Sequence, residues 1–427
     1  MADPSEFDVS DVIIPNKEVM LYSFNKSKKL NIYPQVTGID IFESLDNYTI
    51  TAEIYIADGI ELMNEFPLGG EEIVEITLQT PNRDSLTYEF FVESIQGLTV
   101  NTQQNLRSYR LRCVTKDFLK NSFKVFTRRY KDLKYDEALQ ELLNTDLGSE
   151  VSLMTTESTK GKFDYVVNKV RPFQVIDIIK ERAVSAEGNK SSAFVFYQDS
   201  KGYHFQTIEK LIKDRKGGAS QKEFFYDTSN RAAEYDKVIN ARNMLAYEIM
   251  KQGSSITKVK DGAMRCQFRE FDILRGTYWP VQEYNNPSDQ ALFEKTDDSN
   301  DFNSADYNSF TTELPAVTRM MVKDGLRPEM EHNKNVHYQR PFIQRMQQYG
   351  VRVKVYGDTG IRVGDVIKLN IPDISGTTTT PKQAQIFSEN YIVVNLKHQL
   401  EKRSNSDFEH FLIMEVTKPN QYSKSLG

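Results

Sequence analysis

Five histidines, two cysteines and one Asp-Thr-Gly tripeptide carry much of the chemistry this 427-residue chain could do. Asp358-Thr359-Gly360 is the tripeptide of aspartic proteases, where two carboxylates share one proton because both cannot readily ionise side by side. No second copy exists, so such a site requires a symmetric dimer, and the run that follows, IRVGDVIKL, reads as a strand. Asp and Gly are also ordinary turn residues, and we read the tripeptide as a turn. Asp297, Ser299 and Asp301 have the odd spacing of a calcium loop, but Phe302 stands where Gly is expected and Asn308 where the closing Glu belongs. Polar loop composition accounts for them. His332 and His337 do not share a helical face, and His204, His398 and His410 lie in separate strand-like segments, so no metal set emerges.

Cys113 and Cys266 are too few for a disulfide framework or a cysteine zinc cluster within one chain. Cys113 shares a strand face with Tyr109 and Leu111, the setting of a buried structural thiol. Glycine-rich phosphate loops are missing: Gly357, Gly360 and Gly364 punctuate turns, and Gly217-Gly218 closes the basic run LIKDRKGG, read as a solvated turn. Phe123, Lys124, Phe126, Arg128, Arg129 and Tyr130 interleave basic and aromatic residues as single-strand binders do, but strand alternation gives the same pattern, and we favour the strand. A Ser-His-Asp or two-carboxylate site built from distant residues is defined by geometry, which spacing does not report.

The elements that must position these groups fall into three stretches. From Asn31 to Thr115 the period is two: Ile50, Ala52, Ile54 and Ile56 alternate with polar residues, and Val74, Ile76 and Leu78 follow suit. Turn clusters at Leu68-Gly69-Gly70 and Pro81-Asn82-Arg83-Asp84 separate short strands, as in an antiparallel barrel or sandwich. After Lys116 the period becomes helical at Tyr135, Leu139, Leu142 and Leu143, and again from Pro172 through Phe173, Ile176 and Ile179. Residues 193–208 read as an aromatic hairpin turning at Asp199 to Gly202, and residues 281–325, rich in Asn, Asp and Ser, as a long loop. Beyond the short helix FIQRMQQY come strands marked by Val351, Val353 and Val355; Ile367, Leu369 and Ile371; Ile392, Val394 and Leu396; and Phe411 and Ile413.

Composition narrows the function classes. With 39% hydrophobic residues, 25 Phe and 22 Tyr, the chain has the apolar area to order itself. A net charge of −6 offers no global attraction for nucleic acid or an anionic membrane. The acidic start, MADPSEFDVSDVIIP, lacks the basic and apolar regions of a signal peptide, and no apolar run approaches the roughly 20 residues of a membrane helix. A soluble protein folded in a cytoplasm is expected.

Three stretches, taken together, resemble the baseplate central hub protein of contractile-tailed bacteriophages. YTITAEIYIADGIELMNEFPLGGEEIVEIT, Tyr48 to Thr77, is similar to the family's strand, short helix, Phe-Pro turn and strand. RPFQVIDIIKERAVS, Arg171 to Ser185, followed by FVFYQDSKGYHFQTIEKL, Phe194 to Leu211, resembles its middle-domain helix and aromatic hairpin. GVRVKVYGDTGIRVGDVIKLNIP, with YIVVNLKHQL and HFLIMEVTKP, resembles the closing strands of its second barrel.

The resemblance implies an α+β, predominantly antiparallel β chain. Residues 1–115 would form a first tube-like β-barrel, 116–203 a mixed α/β middle domain, 204–254 with 341–427 a discontinuous second barrel, and 255–340 an insertion of uncertain structure. It implies a homotrimer of pseudo-six-fold symmetry, joining a tail tube or tube-initiator protein to a central spike protein, with baseplate wedge proteins as further partners and a channel for DNA. Sequence-specific nucleic acid binding, membrane contact, cofactors, metals and catalysis are not implied. The virion tail is the expected location, after assembly in the host cytoplasm. Phe66, Pro67, Leu68, Gly69 and Gly70 are the candidate contact with a neighbouring subunit or tube ring; the competing reading is a turn packing on its own barrel. A tail-tip peptidoglycan hydrolase and a carbohydrate- or receptor-binding tail protein are the alternatives, the latter suggested by 11% aromatic residues.

Overall fold

Period-two alternation sets the architecture. In Thr51–Asp58 the side chains of Ala52, Ile54 and Ile56 are buried while Thr51, Glu53 and Tyr55 lie on the other face, and Ile73–Leu78 and Leu106–Val114 repeat the pattern. In the computed structural model these strands belong to a fourteen-stranded, almost wholly antiparallel sheet. The structure describes residues 11–12, 14, 17–66, 68–79, 85–103, 105–187, 192–215, 222–226 and 242–252. It also describes strands at 265–272, 277–278, 282–285 and 317–323, and residues 339, 343, 346–347, 349–372, 387–388, 390–402 and 408–418.

The sheet runs Met244–Gln252, Tyr349–Tyr356, Phe408–Lys418, Asn390–Lys402, Val36–Ser44, Thr51–Asp58, Leu106–Val114, Leu86–Asn101, Ile73–Leu78, Val19–Tyr22, Lys29–Asn31. Its centre is the antiparallel pair Val36–Ser44 with Asn390–Lys402, in register from Gly38 opposite Glu401 to Ser44 opposite Asn395. The two β-rich regions are thus halves of one sheet, and among the described residues no pairing closes either half into a ring. Lys222–Phe225 joins in parallel to Val366–Asn370.

Three apolar cores pack on this frame. The first gathers residues of the N-terminal strands, with Leu400 and Phe408. The second gathers the C-terminal strands with Leu45, Tyr197, Leu211 and Phe224. The third lies under the helices Lys116–Phe123, Tyr135–Glu141 and Pro172–Arg182, the ribbon of Phe126–Leu133 with Phe163–Val170, and the hairpin of Phe194–Asp199 with Gly202–Thr207. Pro172 opens its helix at a position whose N–H needs no partner, and Gln174 accepts the N–H of Arg171. At the hairpin turn Gly202 has φ +148°, and a Cβ there would lie 2.5 Å from the Ser152 carbonyl oxygen, so the close approach demands glycine.

Several elements differ from expectation. The basic run read as a turn begins as a helix, Ile208–Arg215: the Thr207 hydroxyl accepts the N–H of Lys210 as an N-cap, and Leu211 and Ile212 bury in the second core. In Asn390–Lys402 a bulge between Val393 and Asn395 shifts the alternation, burying Val393 and Leu396 and leaving Val394 half-buried. In Phe408–Lys418 the core side belongs to Leu412, Met414 and Val416, not to Phe411 and Ile413, because both faces of that strand are apolar enough to mask the phase. Within the segment read as a long loop, Gln282–Asn285 and Val317–Lys323 are strands that both pair with Arg265–Asp272. Asp297, Ser299, Asp301, His332, His337, Gly217 and Gly218 lie outside the described residues.

Candidate functional surface

The residues singled out for chemistry do not converge. Asp358 holds a turn, accepting the Gly360 N–H at 2.7 Å through one oxygen and the Lys222 ammonium at 2.5 Å through the other. Among the described residues no three His, Cys, Asp or Glu side chains meet where a metal ion could bind. The Cys113 thiol is fully buried, and burial, reinforced by Glu53 and Glu93, pushes its ionisation far up, as an inert core thiol requires. His204 lies 3.0 Å from Asp199, which also faces Arg362 at 3.3 Å. Burial works against the Asp199 carboxylate, but His204, the Lys201 N–H and Arg362 outweigh it and hold the group below its ordinary range.

The aromatic hairpin forms core, not a groove. Phe194, Phe196 and Tyr203 are buried, with Phe194 stacked on Phe205 and Phe196 on Tyr203. These rings therefore present no face to a carbohydrate.

In the segment from Phe66 to Gly70, the Phe66 side chain belongs to the first core and Leu68 packs against it. Pro67 lies outside the described residues. Gly69, Gly70 and Glu71 donate their backbone N–H groups to the buried Glu72 carboxylate at 2.6, 3.0 and 3.1 Å. Among the described residues from Phe66 to Gly70, Gly69 is the exposed one, its N–H tied to Glu72.

On the face of the sheet away from the cores, many charges are paired across strands beside apolar Phe42, Phe411 and Ile413, and Lys354 lies over the Phe411 ring. In one row Arg352 bridges Glu248 at 3.0 Å and Glu415 at 2.8 Å, Glu415 accepts from Asn395 at 2.8 Å, and the Ser44 hydroxyl donates to Asn395. In a second, Lys397 pairs with Asp40 at 2.7 Å, the Tyr55 hydroxyl reaches Asp40 and Glu53, and Arg110 joins Glu53 to Gln96. Arg112 and Glu93 pair at 2.8 Å. Burial opposes ionisation of Glu415, yet the bonds from Asn395 and Arg352 hold its carboxyl below the usual range. Burial, with Asp40 and Glu53 alongside, pushes the Tyr55 phenol up to about 12. Both rows cross the junction of the two sheet halves, so paired charges run from Met244–Gln252 across to Leu86–Asn101. Sequence reading missed it because each partner comes from a different strand, and only register brings them together.

No protein-family profile and no curated protein matches the sequence. Solved structures do. A tail protein from Neisseria meningitidis MC58 aligns with a TM-score of 0.58 at 8% identity, covering 95% of this chain and 97% of that one. The 43 kDa tail protein of prophage MuSo2 from Shewanella oneidensis aligns with a TM-score of 0.55 at 7% identity, covering 95% and 99%. The chain has the fold of these tail proteins, over nearly its full length and theirs, in agreement with the family resemblance of its sequence.

Proposed function

We propose that the chain is a structural subunit of a phage tail baseplate, a hub without chemistry of its own. The observation that carries this reading is the end-to-end match of its fold to two tail proteins. In the proposal each sheet half, with its core, is one tube-like domain, barrel-like in curvature; residues 116–203 form the domain beside them and 255–340 an insertion. Three chains would present six similar faces, matching a six-fold tail tube at one end and a three-fold spike protein at the other, with wedge proteins outside.

The paired polar face would line the channel. Duplex DNA is attracted by unpaired Lys and Arg, and here Arg110, Arg112, Arg352 and Lys397 are each answered by a carboxylate. A trimer carrying three times the net charge of −6 would let DNA slide rather than hold it. The exposed backbone at Gly69 is the proposed contact with a neighbouring ring, and the virion tail the proposed location.

Light scattering with and without purified tube and spike proteins tests the assembly. A mass near three times 49.3 kDa supports the hub, and a chain that stays monomeric with both partners defeats it. Release of peptidoglycan fragments by the purified chain would instead establish a tail-tip hydrolase.

A further inference from the structure

The apolar face of the sheet is interrupted on three neighbouring strands, always where one core gives way to the next. Along Val36–Ser44 the inward positions Ile39 and Ile41 belong to the first core and Leu45, just beyond, to the second; Glu43 stands between. Along Asn390–Lys402, His398 separates Leu396 of the second core from Leu400 of the first. Along Phe408–Lys418, His410 separates Phe408 of the first from Leu412 of the second. Register makes these a diagonal row: Glu43 lies opposite Leu396, His398 opposite Ile41 and Leu412, and His410 opposite Leu400.

The row is dry. Glu43, His398 and His410 expose 2%, 1% and 0% of their surface. His398 Nδ1 and His410 Nε2 are 3.1 Å apart with the rings stacked, while neither Glu43 oxygen nor His410 Nδ1 completes a hydrogen bond. The backbone is fitted to this arrangement: a Cβ on Gly357 would fall 1.9 Å from His410 Nδ1.

We propose that the row Glu43, His398, His410 is a proton-sensitive coupling between the two β cores. Uncharged, it lets them share one sheet face; a charge on it loosens the pairing of Val36–Ser44 and Phe408–Lys418 with Asn390–Lys402. An ionised group there is cut off from bulk water, which makes its charge costly. Two imidazoles in contact can share a proton but cannot both carry one at low cost. Among the described residues, Asp358, held by Lys222, is the one charged group felt by both histidines; their register partners are the apolar Ile41, Leu400 and Leu412. Glu43 faces Asp199 and Asp365, which oppose its ionisation, and Arg362 and the Val363 N–H, which favour it; the Tyr88 hydroxyl, itself hard to ionise there, also faces it.

Burial first, then Asp199, raises Glu43 to about 8; burial lowers His398 to about 4, and burial with the neighbouring His398 holds His410 well below its ordinary range. The closed seam keeps a proton on Glu43 that the loosened seam gives up, so opening rises with pH from the ordinary carboxylate range to about 8. The loosened seam takes protons on the histidines that the closed one refuses, so opening also rises as pH falls below their ordinary 6.5. The coupling is tightest near the crossover of these slopes, about pH 6.5.

Hydrogen exchange of the full chain, corrected for intrinsic rates, tests this at pH 5, 6.5 and 8. The three named strands should open about tenfold more at either extreme than at pH 6.5, while Ile73–Leu78 of the first core stays unchanged. Glu43→Gln should abolish the alkaline rise and keep the acid rise, and His398→Gln should do the reverse. A flat profile in the wild-type protein, an alkaline rise that survives in Glu43→Gln, or an equal rise in Ile73–Leu78 overturns the proposal. The wild-type profile against that reference strand decides the matter even where a variant fails to fold.

Discussion

The two halves of the sheet use the same alternating strands, yet they build their cores differently. The first core draws on a nearly continuous stretch from Ile14 to Cys113, with Leu400 and Phe408 added across the central strand pair. The second takes Leu45 from the N-terminal half, Ala193, Tyr197, Ile208, Leu211 and Ile212 from the hairpin and its helix, Phe224 from a parallel strand, Met244 from the strand at the sheet's edge, and the rest from Met346 onward. The first half is a local structure that the rest of the chain completes; the second is a meeting point of segments far apart in sequence. Their junction carries buried polar groups on one face and paired surface charges on the other.

The largest expected effects separate the two cores directly. Leu111→Ala and Leu412→Ala each remove a fully buried side chain and should each cost about 2–5 kcal/mol in chemical denaturation. Hydrogen exchange should spread from Leu412→Ala into the hairpin at Phe194–Asp199, and from Leu111→Ala only among N-terminal strands. Identical exchange patterns would erase the distinction. Asp199→Asn tests the hairpin's tie to the second half, since it leaves Arg362 without its buried carboxylate and should cost roughly 2–3 kcal/mol at neutral pH. Because the Asp199 carboxyl is held below its ordinary 3.8, its stabilisation is present above that value and lost as pH falls through the lowered one. The wild-type and variant denaturation midpoints should therefore converge in acid.

Gly357→Ala forces a methyl group into His410 and should cost about 1–3 kcal/mol, confined to the second half. Arg352→Ala removes a half-exposed surface pair and should change stability by only about 0.2–1 kcal/mol, less in high salt. Its sharper readout is DNA retention: in assembled particles, Glu415→Gln with Glu248→Gln leaves Arg352 unanswered and should slow DNA release if this face lines the channel.

The same contrast explains what was legible in the sequence. Strands of the first half announced themselves because Ala52, Ile54 and Ile56 sit on a face with polar residues opposite. In the second half Val393 and Val394 are adjacent valines, so the bulge that buries one and not the other left no trace in the pattern. The helix at Lys116–Phe123 was missed because its inward residues include the polar Asp117 and Asn121, engaged by Ser149, Tyr203 and the Phe173 N–H. Of the candidate contact segment, the sequence could mark Gly69 and Gly70 as a turn but not that Phe66 is spent on its own core. The polar row was readable in part: His398 and His410 interrupt apolar strand faces, a signal without meaning until register sets them in contact.

The central strand pair also bears on how the protein is made. Ser44 and Asn395, joined across it, are 351 residues apart. At roughly 5–20 residues synthesised per second, Val36–Ser44 waits on the order of 20–70 s on the ribosome before its partner exists. During that time its edge is a template for any other strand, including the same segment of a chain on a neighbouring ribosome. Its inward Glu43, which a finished sheet tolerates only at a cost, would then serve as a gatekeeper that makes the waiting edge a poor partner for itself.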